Sequence, residues 1–415
     1  MPPERPFVAI VAGKELDGYG GHASLVRAHA LAAGRAGFAV EVFCAARRSS
    51  DEPLDATILH RVAAPMPRGH TAELAHRPFL ARAVARVAAE RRPRGPVIVH
   101  SVGPWAGTAV AASRMLARRG IPAVAVASAY TTHAHERRAM VRGTRGYSLV
   151  AMLAQRRRYL WVLLAGGAIE LRGYRRAKLV VASYESVRAL LAQAGIAVRL
   201  APYATPAAFA EDAARLEDAG ASARSGAPLI VAVARHDPRK GYDVLLPALA
   251  RLAADGVPFR ACLVGPGILL AEHRAQLARL GLSDRVTCPG YVEDVFDYLR
   301  RADVFVLPST EEGSGSLAVL EALQAGVAIV ASRCDGLPED LSDGHDALLA
   351  EPGDAGALER ALATLLADAA LRRSLAAAGR RTFEERFSAQ ALTDALGEIY
   401  GELTAPPALR DAVAG

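Results

Sequence analysis

The sequence predicts an α/β protein made of two successive βα domains, and three observations carry that expectation. Short continuous apolar runs alternate with helix-like stretches along most of the chain, as buried parallel strands joined by crossover helices do. The alternation breaks between Pro202 and Pro228 and restarts at Leu229. A length of 415 residues is about twice that of a comfortable single domain.

The elements follow in order. Phe7–Gly13 is an apolar run ending in glycine and reads as the first strand. A Gly-rich loop, Gly18-Tyr19-Gly20-Gly21, leads into a helix from His22 to about Ala36, which Gly37 closes before the strand Val40–Cys44. Further strands are expected at Val97–His100, Ala123–Ala127 and Leu179–Ala182. Pro202, Pro206, Gly220, Ser222, Ser225 and Gly226 then mark a connecting segment. Beyond it the strands resume at Leu229–Ala234, Ala261–Val264, Val286–Cys288, Val304–Leu307 and Ala328–Ala331. An Ala- and Leu-rich helical stretch runs from Ala355 to Arg386, with a break expected at Gly379. A last helix carries Phe387, Leu392, Leu396, Ile399 and Leu403 on roughly one face. The expected boundaries are therefore a first domain over 1–204, a linker over 205–226, a second domain over 227–386, a final helix over 387–404 and a tail over 405–415.

Composition bounds the function. Hydrophobic residues at 52% and charged residues at 22% exclude a disordered chain, and 6% aromatics mean cores of Ala, Val and Leu. A net charge of +7 favours anionic partners, but over this length it is no nucleic-acid signature; anionic small molecules and anionic membrane surfaces fit equally. Cys44, Cys262, Cys288 and Cys334 are widely spaced, which argues for buried reduced thiols and against a disulfide scaffold or zinc site. The start, with an acid, three prolines and a short apolar run, does not read as a signal peptide, and no apolar run reaches the roughly eighteen residues of a spanning helix. The expectation is a cytoplasmic protein, with peripheral membrane contact open.

In parallel α/β domains ligands bind beyond the carboxyl ends of the strands, so the loops there carry the chemistry. Arg235-His-Asp-Pro-Arg-Lys240-Gly241 puts two cations in one short βα loop, where they can converge on a diphosphate; a solvated basic loop is the alternative. Gly265-Pro266-Gly267 permits close backbone approach to a ligand, and Gly290-Tyr291-Val292 follows its strand in the same manner. Pro308–Gly326 is the strongest segment. A small-residue turn through Gly315 leads into a helix near Ser316 and Leu317, whose free amides suit an anion. Glu321, one and a half turns into that helix, suits vicinal hydroxyls such as a ribose, and Glu312 at the strand end is placed for a second polyol. In the first half, Gly20 and Gly21 offer amides at a helix start. His133, beside His135 and Glu136, follows the strand Ala123–Ala127, and either imidazole is a candidate for the ligand side. No third ligand group recurs at useful spacing, so no metal site is expected.

Taken together these residues resemble the retaining GT-B glycosyltransferases of family 4, from Gly20-Gly21 through Arg235…Lys240-Gly241, Gly265-Pro-Gly267 and Glu312-Gly…Glu321-Ala…Gly326. The resemblance continues through Gly336-Leu-Pro-Glu339 and Asp346-Ala-Leu-Leu-Ala-Glu-Pro-Gly353-Asp354 to the final Phe387-Ser…Tyr400 helix. It implies the GT-B architecture: two Rossmann-like βα domains facing a cleft, with the C-terminal helix crossing back to the first, acceptor-side domain. It also implies a nucleotide-sugar co-substrate, UDP-sugar by family frequency, and no cofactor or metal. Arg235 and Lys240 would hold the donor diphosphate with amides near Ser316 and Leu317. Glu321 would meet the ribose, Glu312 the transferred sugar, and His133 would be the histidine near the reacting sugar. The implied reaction is retaining transfer to a hydroxyl acceptor, small-molecule or lipid-linked.

One departure stands out: eight residues lie between Glu312 and Glu321, one more than the family's usual spacing, and Ser314 replaces the usual bulky aromatic. An extra small residue, Gly315 or Ser316, bulging the turn would keep both contacts. A nucleotide-sugar epimerase and a non-catalytic nucleotide-sugar binder are the alternatives. Between Arg137 and Arg176 the chain is strongly basic, and Arg156-Arg-Arg158 precedes the apolar Tyr159–Ala165. That segment suits contact with an anionic membrane, or equally a helix packed in the first domain.

Overall fold

In a computed structural model the described residues are 5–13, 16, 20–65, 72–91, 93, 95–131, 153, 156–157, 159–160, 166–210 and 226–405. They fall into two compact units. One lies within Met1–Arg137, Arg157–Phe209 and Ser388–Gly415, the other within Arg138–Arg156 and Ala210–Phe387.

The first unit holds a sheet of β1 (Phe7–Val11), β2 (Ala39–Ala46), β3 (Ser50–Leu54), β4 (Thr57–Ala63), β5 (Val97–Val102), β6 (Ala123–Ala129), β7 (Leu179–Ala182) and β8 (Val198–Leu200). Their order is β3-β4-β2-β1-β5-β6-β7-β8, parallel throughout except for the antiparallel β3–β4 pair. β1 is wholly buried, as a continuous apolar run between two covered faces requires. The helices Gly21–Arg35, Ala72–Arg91, Ala106–Ala117, Gly167–Tyr174 and Glu185–Gln193 belong to this unit.

The final helix, Ala389–Thr404, also packs in this unit, against Gly21–Arg35. Ser388 caps it, its hydroxyl accepting from the Ala391 amide. Leu392, Leu396, Ile399 and Tyr400 join the core with Val26, Ala30 and Phe38. A buried polar chain fastens it. The His29 Nδ1 proton goes to the Leu25 carbonyl at 2.9 Å, so neutral His29 must accept at Nε2. The Tyr130 hydroxyl at 3.2 Å and Ser128 Oγ at 3.3 Å both meet His29 Nε2; Ser128 Oγ also lies 2.8 Å from His100 Nε2, and the Tyr400 hydroxyl 2.5 Å from His100 Nδ1. Burial holds both imidazoles neutral, with the His29 pKa pushed down to about 4 and that of His100 well below its ordinary value.

The second unit holds β9 (Leu229–Val233), β10 (Arg260–Val264), β11 (Val286–Gly290), β12 (Val304–Leu307), β13 (Ala328–Ser332) and β14 (Leu348–Ala350). All pairs are parallel in the order β11-β10-β9-β12-β13-β14, so the strand order reverses between β9 and β12. Such a reversal opens a crevice at the carboxyl ends of the two central strands.

The helical break expected at Gly379 lies elsewhere. The helix Ala369–Arg386 runs through that glycine, and the interruption comes at Asp368, whose carboxylate caps the new helix at the Ala370 and Leu371 amides. Gly379 serves packing instead, since a Cβ there would sit 2.9 Å from the Leu323 side chain. All four cysteines are buried free thiols.

Candidate functional site

The loops after β9 and β12 flank the reversal point of the second sheet, and each is shaped by a different device. After β9, Asp237 caps a single turn, Pro238–Lys240, and Gly241 ends it in the left-handed region at φ 67°. A Cβ on Gly241 would stand 1.9 Å from the Pro308 carbonyl, so only glycine lets the two loops touch. The helix Tyr242–Ala254 starts from it.

Beneath this turn His236 is fully buried, stacked on Tyr242 at 4.2 Å and bonded through Nδ1 to His273 Nδ1 at 2.9 Å. Burial foremost, with the nearby His273 second, pushes its pKa down to about 4. The His236 amide donates to the Pro266 carbonyl at 2.8 Å. Cβ atoms at Gly265 and Gly267 would strike the backbone of Ala234 and His236 at 2.1 and 2.3 Å. These two glycines therefore bring one βα loop against the next. Gly290 accepts from the Gly265 amide at 2.8 Å, Tyr291 is 53% exposed, and Val292 is half-buried.

Lys240 reaches across the crevice to Glu312, its ammonium lying 2.7 and 2.6 Å from the two carboxylate oxygens. Their side chains are 13% and 5% exposed. Ser309 donates a further hydrogen bond to Glu312. Arg235 turns elsewhere: its side chain is 60% exposed and pairs with Asp237 at 3.0 Å. The two cations of the β9 loop thus have separate partners rather than a common focus.

Ser316 is the N-cap of the helix Leu317–Gln324, with Gly315 half-buried before it. Ser316 is buried and its side chain makes no cap hydrogen bond; its carbonyl accepts from the Val319 amide at 3.1 Å. Leu317 opens the helix and Glu321 lies further along it. Burial, with Asp294 second, raises the Glu321 pKa to about 7, and among the described residues no donor meets its carboxylate.

The longer turn between Glu312 and Glu321 is held from β13's loop. Asp335 Oδ2 accepts from the Glu312 amide at 2.6 Å and the Gly313 amide at 2.7 Å, and the Gly336 amide donates to the Ser314 carbonyl at 3.1 Å. Sequence reasoning missed Asp335, Ser309 and the His236–His273 pair. The Asp335-Gly336 dipeptide after a strand was the available signal for a turn.

In the first unit, Gly20 is the extended N-cap of the helix Gly21–Arg35, both glycines are exposed, and the Ser24 amide donates to the Gly20 carbonyl. His133 and His135 lie outside the described residues, as does most of 137–176. Among the described residues no helix is long and apolar enough to cross a membrane.

Residues 227–368 match the family described as "Glycosyl transferases group 1". The chain is 36% identical over 173 residues to the lipopolysaccharide core biosynthesis glycosyltransferase LpsE of Rhizobium meliloti, a match covering 41% of this chain and 48% of that one. It is 32% identical over 166 residues to the 2-deoxystreptamine glucosyltransferase of Streptomyces kanamyceticus, covering 40% and 43%. The chain spans about half the length, or slightly less, of the curated relatives it matches. Among solved structures, sucrose-phosphate synthase from Thermosynechococcus elongatus aligns with a TM-score of 0.72 at 23% identity, covering 96% of this chain and 99% of that one. Anabaena HepE, determined with UDP and glucose, aligns at 0.67 with 17% identity over 95% and 99%. With two Rossmann-like sheets and a final helix that packs in the first unit, the chain has the GT-B fold, and its residues 227–368 are similar to the Glycosyl transferases group 1 family.

Proposed function

We propose that the protein is a glycosyltransferase that moves a sugar, with retention, from a nucleoside-diphosphate sugar to a hydroxyl acceptor. The observation that carries this reading is the Lys240–Glu312 pair at the reversal point of the second sheet. An ammonium has three protons, so a lysine held by one carboxylate keeps donor capacity for a diphosphate oxygen. Its position is set before the ligand arrives, as stabilising a leaving group demands. Arg235, largely exposed, closes its own exchangeable pair with Asp237 and is free to trade that carboxylate for a phosphate. Helix amides after Ser316 add a third anion-binding element, and the cations and amides together carry the diphosphate charge without any metal step. Glu321, half-buried and with no donor at its carboxylate among the described residues, suits the paired hydroxyls of a ribose.

UDP is the donor nucleotide this reading favours, supported by the UDP named with Anabaena HepE; a mycobacterial relative is named for GDP-mannose, which keeps guanosine in the test. The acceptor side is assigned to the first unit. There Arg172 and Arg176 are exposed, and the Arg176 pKa is lowered by Arg172 foremost and by Arg114 and Arg77. This concentration of positive charge supports a peripheral contact with anionic lipid through 137–176. Epimerase chemistry would use the same diphosphate site with no acceptor and has no separate observation in its favour.

The test is thermal unfolding with UDP-, GDP-, ADP- and TDP-glucose, each in large excess, followed by assay of the stabilising donor for transfer and slow hydrolysis. A donor at about a hundred times its dissociation constant adds about 2.7 kcal/mol. One base giving a clear shift, with hexose and nucleoside diphosphate released, is the expected result. No shift with any of the four would overturn the reading.

A further inference from the structure

Asp335 is one of two non-glycine residues among those described with a positive φ, at 48°. A side chain in that left-handed region is disfavoured, and glycine is the usual occupant. Here the conformation places the carboxylate under the turn after β12, where a single oxygen, Oδ2, accepts from the amides of both Glu312 and Gly313. The next residue, Gly336, donates to the Ser314 carbonyl, so three consecutive positions of the lengthened turn are tied to the β13 loop. Glu312 has its backbone fixed by Asp335 and its carboxylate fixed by Lys240 and Ser309. We propose that Asp335 is a positioning residue, which registers the longer turn so that the Glu312 carboxylate meets both Lys240 and the donor sugar. The role in catalysis rests on the function proposed above; the positioning itself does not.

Three variants separate the possibilities. Asp335→Asn keeps one carbonyl oxygen able to accept both amides. Asp335→Gly removes the acceptor while relieving the backbone, and Asp335→Ala removes the acceptor without that relief. Hydrogen exchange of the peptide spanning 308–316, with no ligand present, reads the positioning directly. Exchange about tenfold faster in Asp335→Gly and near wild type in Asp335→Asn is expected; equal exchange in all would overturn the proposal. The melting temperature of the Gly variant, read beside those of Asp335→Asn and wild type, separates lost activity from lost folding. With whichever glucose donor stabilises the wild type, and its parent nucleoside diphosphate as control, kcat should fall about a hundredfold in Asp335→Gly while affinity for the nucleoside diphosphate changes little. Rescue by Asp335→Asn supports positioning; wild-type kcat in Asp335→Gly sinks it. A wild-type chain that meets none of the four donors defeats the proposed function, and the exchange experiment still decides the positioning.

Discussion

Lys240 and Glu312 stand 72 positions apart in the chain and form a two-point ion pair, 2.6 and 2.7 Å, with both side chains largely withdrawn from water. Removing one partner of such a pair strands the other charge, which costs about 3–5 kcal/mol, whereas removing both together costs much less. Lys240→Ala should therefore lower stability by that amount, and Lys240→Met combined with Glu312→Gln should recover most of it. Urea unfolding of Lys240→Met, Glu312→Gln and their combination, beside Lys240→Ala, checks this; additive losses would contradict the coupling. Each single variant should also abolish most donor binding.

Glu321 should make donor affinity depend on pH. Its folded pKa, about 7, lies above the ordinary 4.5, so the native protein holds a proton that the unfolded chain releases. The stability it costs is absent below about 4.5, grows as pH rises toward 7, and is constant above. Hydroxyl donors on a ligand favour the ionised carboxylate, so donor affinity should climb as pH rises through about 7 and then level off. Calorimetric titration between pH 5.5 and about 8.5 should show that climb in the wild type and a flat profile in Glu321→Gln. A flat wild-type profile would remove Glu321 from the ligand's contacts.

The final helix is fastened by a hydroxyl. Tyr400→Phe leaves His100 Nδ1 buried without its hydrogen-bond partner, a loss of about 1–3 kcal/mol. Buried histidines in both units predict acid lability. His29 and His236 have folded pKa values near 4 against an ordinary 6.5, so the stability they confer is complete above 6.5 and drains as pH falls toward 4. Melting temperatures across that window should fall in the wild type and fall less in a His236→Asn variant that still folds.

Anionic surfaces should attract the first unit. Vesicles with about a third phosphatidylglycerol should capture the protein at low salt and release it at roughly 0.5 M, while neutral phosphatidylcholine vesicles should not capture it. Arg172→Glu with Arg176→Glu should weaken capture without altering affinity for the donor. Equal capture by neutral vesicles would argue for an apolar contact instead.

The amino-acid sequence by itself determined the two βα units, most of the strands and the loops that matter, because buried parallel strands are continuous apolar runs and their glycine-rich exits are chemically conspicuous. It hid β3, β4, β8, β14 and the helix Ala72–Arg91. β3 reads Ser-Asp-Glu-Pro-Leu, with no apolar alternation and a proline that an edge strand tolerates; the helix carries Pro78 in its interior. Gly379 looked like a helix break because glycine weakens an isolated helix, yet close packing against Leu323 outweighs that cost. At the site, Lys240, Glu312 and Glu321 were legible as residue types in strand-end loops. That Glu312 turns onto Lys240, that Arg235 turns away, and that Asp335 accepts two amides of the lengthened turn were decided by the tertiary structure alone. A hydrogen bond over 2.6 Å depends on where two distant loops come to rest, and strand order and close glycine contacts set that, not the local pattern of either loop.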